Sequence, residues 1–168
     1  MKLSVQELVS CSDAVLDNGC QGGLFENSFT YIQKKGLTSA LNYPYVSAFT
    51  RKPSACNIQK INNGRKWKIK GYRNIQRNCQ SVLTELQRGP VAVGINSENL
   101  QFYRNGSFKG SVDGFTDHAV LLVGYDSEQG FKIKNIWGRT WGILGYGWID
   151  ETEHAGLCSR AISANIPV

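Results

Sequence analysis

His118-Ala-Val-Leu-Leu-Val-Gly-Tyr125 is followed, after Asp126 to Gly130, by Phe131-Lys-Ile-Lys-Asn135-Ile-Trp137, and these two stretches decide how the chain reads. Both are rich in β-branched and aromatic residues, and a turn-like segment divides them, which predicts a pair of antiparallel strands. A hairpin centred near Asp126 and Ser127 places His118 roughly opposite Asn135. Cross-strand neighbours have Cβ atoms about 5 Å apart, so the imidazole and the carboxamide can hydrogen-bond, with the Asn135 oxygen accepting from one ring nitrogen. A histidine oriented in this way, with its other nitrogen free, is two-thirds of a nucleophilic catalytic set. Taken alone, the residues allow a plainer reading, a polar side chain satisfied at the start of a strand.

Outward from this hairpin the pattern changes character once. Further strands are expected over Val91 to Ile95, Gly145 to Ile149 and Arg160 to Ile166, separated by Gly-rich and aromatic turns, as in a small antiparallel barrel. Residues before about 70 read as short helices and loops. Leu24, Phe25, Ser28, Phe29 and Ile32 share one face of a helix that Gly36 can end. A second helix follows Asn78, a good N-cap, with Val82, Leu83 and Leu86 on its apolar face and Gly89-Pro90 at its close. The expectation is one α+β domain over 1–168, a helical lobe over 1–70 and a β-barrel lobe over 71–168. A chain of 168 residues removes about 70% of its extended surface on folding, enough for a core without staples.

Composition narrows the function classes. Hydrophobic residues make up 41% and charged ones 19%, which excludes a disordered chain and a coiled coil. The longest aliphatic run, Ala119 to Val123, falls far short of the roughly 20 residues of a membrane span. The first residues lack the apolar stretch and cleavage site of a secretory signal. Nineteen basic residues stand against 13 acidic ones, and seven of the basic ones lie between Lys60 and Arg77. Within Arg65-Lys66-Trp67-Lys68-Ile69-Lys70 the alternation predicts a half-buried strand with a basic outer face. That face is a solvated surface or, less simply, a docking surface for nucleic acid. The five cysteines include no C-x-x-C pair, and neither His118 nor His154 sits in metal-ligand spacing with them, so no metal and no cofactor are expected. Asn105-Gly106-Ser107 is an acceptor triplet for N-glycosylation or, more simply, a hairpin turn.

Asp117-His118-Ala119-Val120 and Asn135-Ile136-Trp137-Gly138-Arg139-Thr140-Trp141-Gly142-Ile143-Leu144-Gly145-Tyr146 closely resemble the papain-like cysteine peptidases. So do Leu3 to Cys11 as the helix leading to a disulfide cysteine, Asn18-Gly19-Cys20-Gln21-Gly22-Gly23, and Tyr43-Pro44-Tyr45, in the family's order across the whole chain. The resemblance implies a two-lobed papain-like fold, with His118 as the catalytic histidine, Asn135 as its orienting amide and Trp137 shielding their hydrogen bond. It implies that Gly22 and Gly23 offer backbone groups to an extended peptide. Leu24, Phe25, Gly94, Thr116, Asp117 and Ser163 are implied to line the substrate site, with an apolar pocket for the second side chain before the scissile bond.

The same resemblance exposes departures. The family's nucleophilic cysteine and oxyanion-binding glutamine lie upstream of the Leu-Ser-x-Gln-Glu-Leu motif, and this sequence begins after both. Cys11 and Cys56 match a family disulfide, whereas the partner of Cys20 is implied to lie in the absent segment. Cys158 matches a disulfide cysteine whose partner region, Gly110 to Phe115, holds none, and Cys79 matches no bridge and reads as a lone thiol. Ile136 replaces the family's usual serine.

Removing a triad nucleophile costs on the order of 10⁶ in turnover, so the chain alone is expected to be silent. The leading expectation is a peptidase homologue serving as a structural or binding subunit, its helix gap filled by another chain. The alternative is the C-terminal chain of an active endopeptidase with the cysteine elsewhere and a peptide in its cleft. A nucleic-acid subunit ranks third. Serine hydrolase chemistry is excluded: there is no Gly-x-Ser-x-Gly elbow, and adjacent Asp117 and His118 point to opposite faces of a strand. The family is usually lysosomal or secreted; a Cys11–Cys56 bridge suits an oxidising compartment and three unpaired thiols a reducing one.

Overall fold

The computed structural model describes residues 1–12, 17–52 and 54–167. Among the described residues four helices precede the first strand and a fifth separates it from six more strands, and the chain falls into two units, 1–72 with 164–168, and 73–163. The second unit is thus inserted in the sequence of the first, where the sequence reading places one boundary near 70.

The first unit holds α1 (Val5–Cys11), α2 (Phe25–Lys34), α3 (Ser47–Thr50) and α4 (Ile58–Asn62). Ser4 caps α1 by accepting from the Glu7 backbone N–H at 3.0 Å, and its hydroxyl donates to the Tyr43 carbonyl at 2.7 Å. Helix α2 ends where expected, with Gly36 at φ +74°, a conformation that favours glycine.

Buried polar groups hold much of this unit together. Gln6 accepts from the backbone N–H groups of Val46 and Ser47 and donates to the Ser47 and Ser10 hydroxyls, all at 2.8–2.9 Å. Glu7, with no side-chain exposure, receives Lys66 Nζ and the Thr38 amide and hydroxyl, each at 2.8 Å, and the Tyr31 hydroxyl at 3.2 Å. Burial alone raises the Glu7 carboxyl, but the Lys66 and Thr38 hydrogen bonds together hold it below its ordinary value.

The basic segment does not form the expected strand. Between Arg65 and Lys70 only Trp67 makes a bridge, to Leu37, and the chain is otherwise irregular. Its lysines are drawn off individually: Lys66 to Glu7, and Lys68 Nζ to the Lys34 carbonyl at 2.9 Å. An alternating pattern gives a strand only where a neighbour supplies a full ladder, and here a single bridge is supplied.

The second unit contains α5 (Cys79–Leu86) and a sheet of β2 (Val91–Ile95), β3 (Ser107–Gly110), β4 (His118–Asp126), β5 (Gly130–Lys134), β6 (Tyr146–His154) and the first three residues of β7 (Ala161–Asn165), in the order β7-β2-β4-β5-β6-β3. Strand β1 (Gly71–Asn74) adds at the β7 edge. The sheet is mixed rather than wholly antiparallel, because β3 runs parallel to β6. Asn105-Gly106 therefore makes a turn into β3, with Gly106 at φ +72°, but not a hairpin. Val91, Val93, Ile95, Leu122, Phe131, Ile133 and Ile149 are fully buried, and Val82 of α5 joins them. Asn78 caps α5 as expected, accepting from Ser81 N at 2.7 Å.

The hairpin forms with a different register. Asp126 pairs with Gly130, so the turn centres on Glu128 rather than between Asp126 and Ser127. A bulge between Leu122 and Gly124 then shifts the ladder, and Leu121 pairs with Lys134. The last paired residue, Lys134, leaves Asn135 beyond the ladder, and His118 pairs instead with Ile95 of β2.

Candidate active site

Although His118 and Asn135 are not ladder partners, their side chains meet: His118 Nε2 lies 2.8 Å from Asn135 Oδ1. His118 is the first residue of β4, and Asn135 directly follows β5, with its backbone N–H bonded to the Gly145 carbonyl at 3.0 Å. The Ile136 N–H donates to the same Oδ1 at 2.8 Å. An amide oxygen has no proton to give, so Nε2 is the donor and carries a proton in this bond. Among the described residues no hydrogen bond ends on His118 Nδ1. An imidazole held in this way can exchange a proton at that nitrogen with an incoming group.

Trp137 stacks on the His118 ring, with centroids 4.6 Å apart at 28°, and its edge meets Trp141 at 5.9 Å. Trp141 is buried, donates to the Leu100 carbonyl at 3.0 Å and packs on Tyr103. The aromatic chain thus anchors the cover over His118 in the core. Asn135 is itself buried, and its Nδ2 has no partner among the described residues. Leaving a buried donor unpaired costs about 1–3 kcal/mol, a penalty that functional sites tolerate more often than cores do. A cavity of about 200 Å³ opens beside it, lined by Asn135, Ile136, Gly138, Leu144 and the basic Lys134 and Arg139.

The remaining site candidates divide between the units. In unit 2, Gly94 of β2 faces Thr116 and Arg160: a Cβ on Gly94 would lie 3.2–3.3 Å from Arg160 Cγ and Cβ and from Thr116 Cβ. Asp117 Oδ1 accepts from the Ser97 N–H at 2.9 Å. Ser163 is buried, with its hydroxyl given to Glu85 Oε1 at 2.9 Å. In unit 1, Gly22 has φ +106° and ψ −176°, a conformation open essentially to glycine alone. Gly23 allows no Cβ without moving Asp17, whose Oδ1 would be 2.5 Å away and which accepts from Leu24 N at 3.2 Å. Leu24 and Phe25 open helix α2.

The cysteines correct the sequence reading. Cys11 and Cys56 are bonded, as the resemblance implied. Cys79 is not a lone thiol and Cys158 is not without a partner: they form a second disulfide. Cys20 alone is unpaired and is exposed. No spacing rule finds a bridge between positions 79 residues apart, because only the folded sheet brings the start of α5 to the turn before β7. The fold also brings a ring nitrogen of His154 within 4.8 Å of the Cys79 and Cys158 sulfurs, a proximity that sequence spacing does not disclose.

Among the described residues no helix is long and apolar enough to cross a membrane. The family model described as papain family cysteine protease matches residues 1–168. The chain is 38% identical over 177 residues to the senescence-specific cysteine protease SAG12 of Arabidopsis thaliana, covering 99% of this chain and 49% of that protein. It is 35% identical over 178 residues to vignain of Ricinus communis, covering all of this chain and 48% of that one. The chain thus spans about half the length of the curated relatives it matches. Among solved structures, the Carica candamarcensis cysteine protease CMS1MS2, crystallised with E-64, superposes with a TM-score of 0.88 at 28% identity, covering all of this chain and 79% of that one. A motif order, a fold and a histidine–asparagine geometry all lead to the same place: the chain belongs to the papain family of cysteine proteases.

Proposed function

We propose that this chain carries the imidazole–amide half of a thiol peptidase centre and does not cleave peptides by itself. The His118 Nε2–Asn135 Oδ1 hydrogen bond under Trp137 carries this reading, because it leaves Nδ1 as the proton-exchanging atom. In such a centre Nδ1 takes the proton of a cysteine thiol, the thiolate attacks the peptide carbonyl, and the imidazolium returns the proton to the leaving amine. Asn135 holds the ring in one tautomer throughout. Four of the five cysteines are tied up in disulfides, and Cys20 lies in the loop that resembles the family's glycine-rich segment. The nucleophile is supplied by a cysteine-bearing segment outside these residues, and Gly22 and Gly23 receive the substrate backbone.

A second reading, a binding or structural subunit without chemistry, is favoured by one observation. Ile136 places an apolar side chain, 78% exposed, beside the amide where the family usually has a hydroxyl.

Treating the chain with an epoxide that alkylates active thiols, alone and with its native companions, followed by intact mass and peptide turnover, tests both. Labelling and turnover that appear only with a companion cysteine, and vanish in His118→Ala, support the first reading. A native assembly with no epoxide-reactive thiol supports the second. Turnover by the isolated chain overturns both.

A further inference from the structure

Cys79 is the first residue of α5, His154 the last of β6, and Cys158 sits in the short turn Leu157–Ser159 that leads into β7. Three separate elements of unit 2 therefore converge on one point, with the three ligand atoms within 4.8 Å of each other. His154 Nδ1 is buried and has no hydrogen-bond partner among the described residues. An unpartnered buried nitrogen on an imidazole whose ring reaches two sulfurs is unusual in a site with only a structural role, since buried polar atoms are nearly always satisfied.

We propose that Cys79, Cys158 and His154 form a redox-gated site for a borderline divalent cation such as zinc, closed while the disulfide stands and opened by its reduction. A dithiol donates two electrons and two protons to the Cys79–Cys158 bond, which breaks to two thiols while the dithiol becomes a cyclic disulfide. The cation then displaces two protons and is held by two thiolates and the imidazole, with its fourth position left to solvent. Two sulfurs each about 2.3 Å from a tetrahedral zinc lie about 3.8 Å apart. Side-chain rotation meets that separation, because the two Cα atoms are already 4.9 Å apart. The start of α5 adds favourable potential for a thiolate at Cys79. Two thiolates and a neutral imidazole suit zinc or cobalt over magnesium or calcium, which prefer oxygen ligands.

The test uses the whole chain opened with a phosphine, which ends as phosphine oxide and does not compete for the metal. Cobalt(II) is then titrated while its thiolate charge-transfer absorption is followed, and circular dichroism reports the fold. One equivalent is expected to bind after reduction and none before it. His154→Ala should weaken binding by on the order of 100-fold or more, whereas Cys20→Ser should leave it unchanged. Zinc should displace the cobalt and block alkylation of Cys79 and Cys158, read by peptide mass. Absence of a charge-transfer band once mass shows the disulfide open, equal binding by a folded His154→Ala variant, or opening only on unfolding would each overturn the proposal.

Discussion

The backbone N–H of Ile136 donates to the side-chain oxygen of its own neighbour, Asn135, at 2.8 Å, and so decides which end of that amide His118 meets. With the oxygen turned towards the ring, only the Nε2–H tautomer satisfies the contact. Asn135→Ala should release this preference and leave His118 as a mixture of tautomers near neutral pH. Ring nitrogen chemical shifts measure this directly, and an unchanged Nε2–H pattern would show that another group holds the ring.

Trp137 stacks on the same ring, and tilted or stacked aromatic pairs contribute about 0.5–1.5 kcal/mol beyond simple burial. Trp137→Ala should keep the His118–Asn135 hydrogen bond but expose it. The expected result is faster solvent exchange of the Nε2 proton, seen by saturation transfer, with the tautomer unchanged.

Ile136 is 78% exposed, and its side chain is not part of the core. Ile136→Ser should therefore shift stability by no more than about 0.5 kcal/mol in urea unfolding. A larger loss would mean that the isoleucine is covered in the working protein.

Lys66→Met leaves the Glu7 carboxylate buried among Thr38 and Tyr31 without its cation. Breaking a buried pair costs about 3–5 kcal/mol; with Lys66 24% exposed, about 2–4 kcal/mol is expected near pH 7. In the parent chain the folded Glu7 value lies below its ordinary 4.5, so its stabilisation is complete above that value and fades as pH falls through the lowered one. In the variant, burial acts with less opposition and the carboxyl protonates earlier. The gap between the two unfolding curves should therefore narrow on acidification, and a constant gap would sink the assignment.

The two disulfides close loops of different length, with partners 45 and 79 residues apart. Chain entropy alone assigns them about 4 and about 4.5 kcal/mol, upper figures because unfolded chains retain structure. Replacing both Cys79 and Cys158 by alanine should cost about 2–4.5 kcal/mol in non-reducing denaturant titrations. A loss under about 1 kcal/mol would show that the bridge is not formed in solution.

What the sequence disclosed about this site is local chemistry more than register. The strand character of His118 to Tyr125 and Phe131 to Lys134 was legible from β-branched and aromatic residues, and Asn78 and Gly36 marked helix ends through their own side-chain and backbone preferences. The bulge near Val123 was only half legible: Gly124 in the run is a residue that often marks one, but the register it leaves behind is chosen by the neighbouring strands. Its effect is that His118 reaches Asn135 from outside the ladder rather than across it. The Arg65–Lys70 alternation misled for the same reason in reverse: its period was correct, but no strand lay alongside to complete it. The Cys79–Cys158 bridge depends on where α5 packs, which neither cysteine's own neighbours encode.

Strand β7 begins in one unit and ends in the other, and the Lys70 N–H bonds the Asn165 carbonyl at 2.7 Å within the first. During synthesis, the first unit therefore gains this backbone bond only after the whole inserted unit has been translated. A chain cut before residue 164 would leave the Lys70 N–H without its strand partner and shorten β7 in the same stroke, so a break at that one point touches both units.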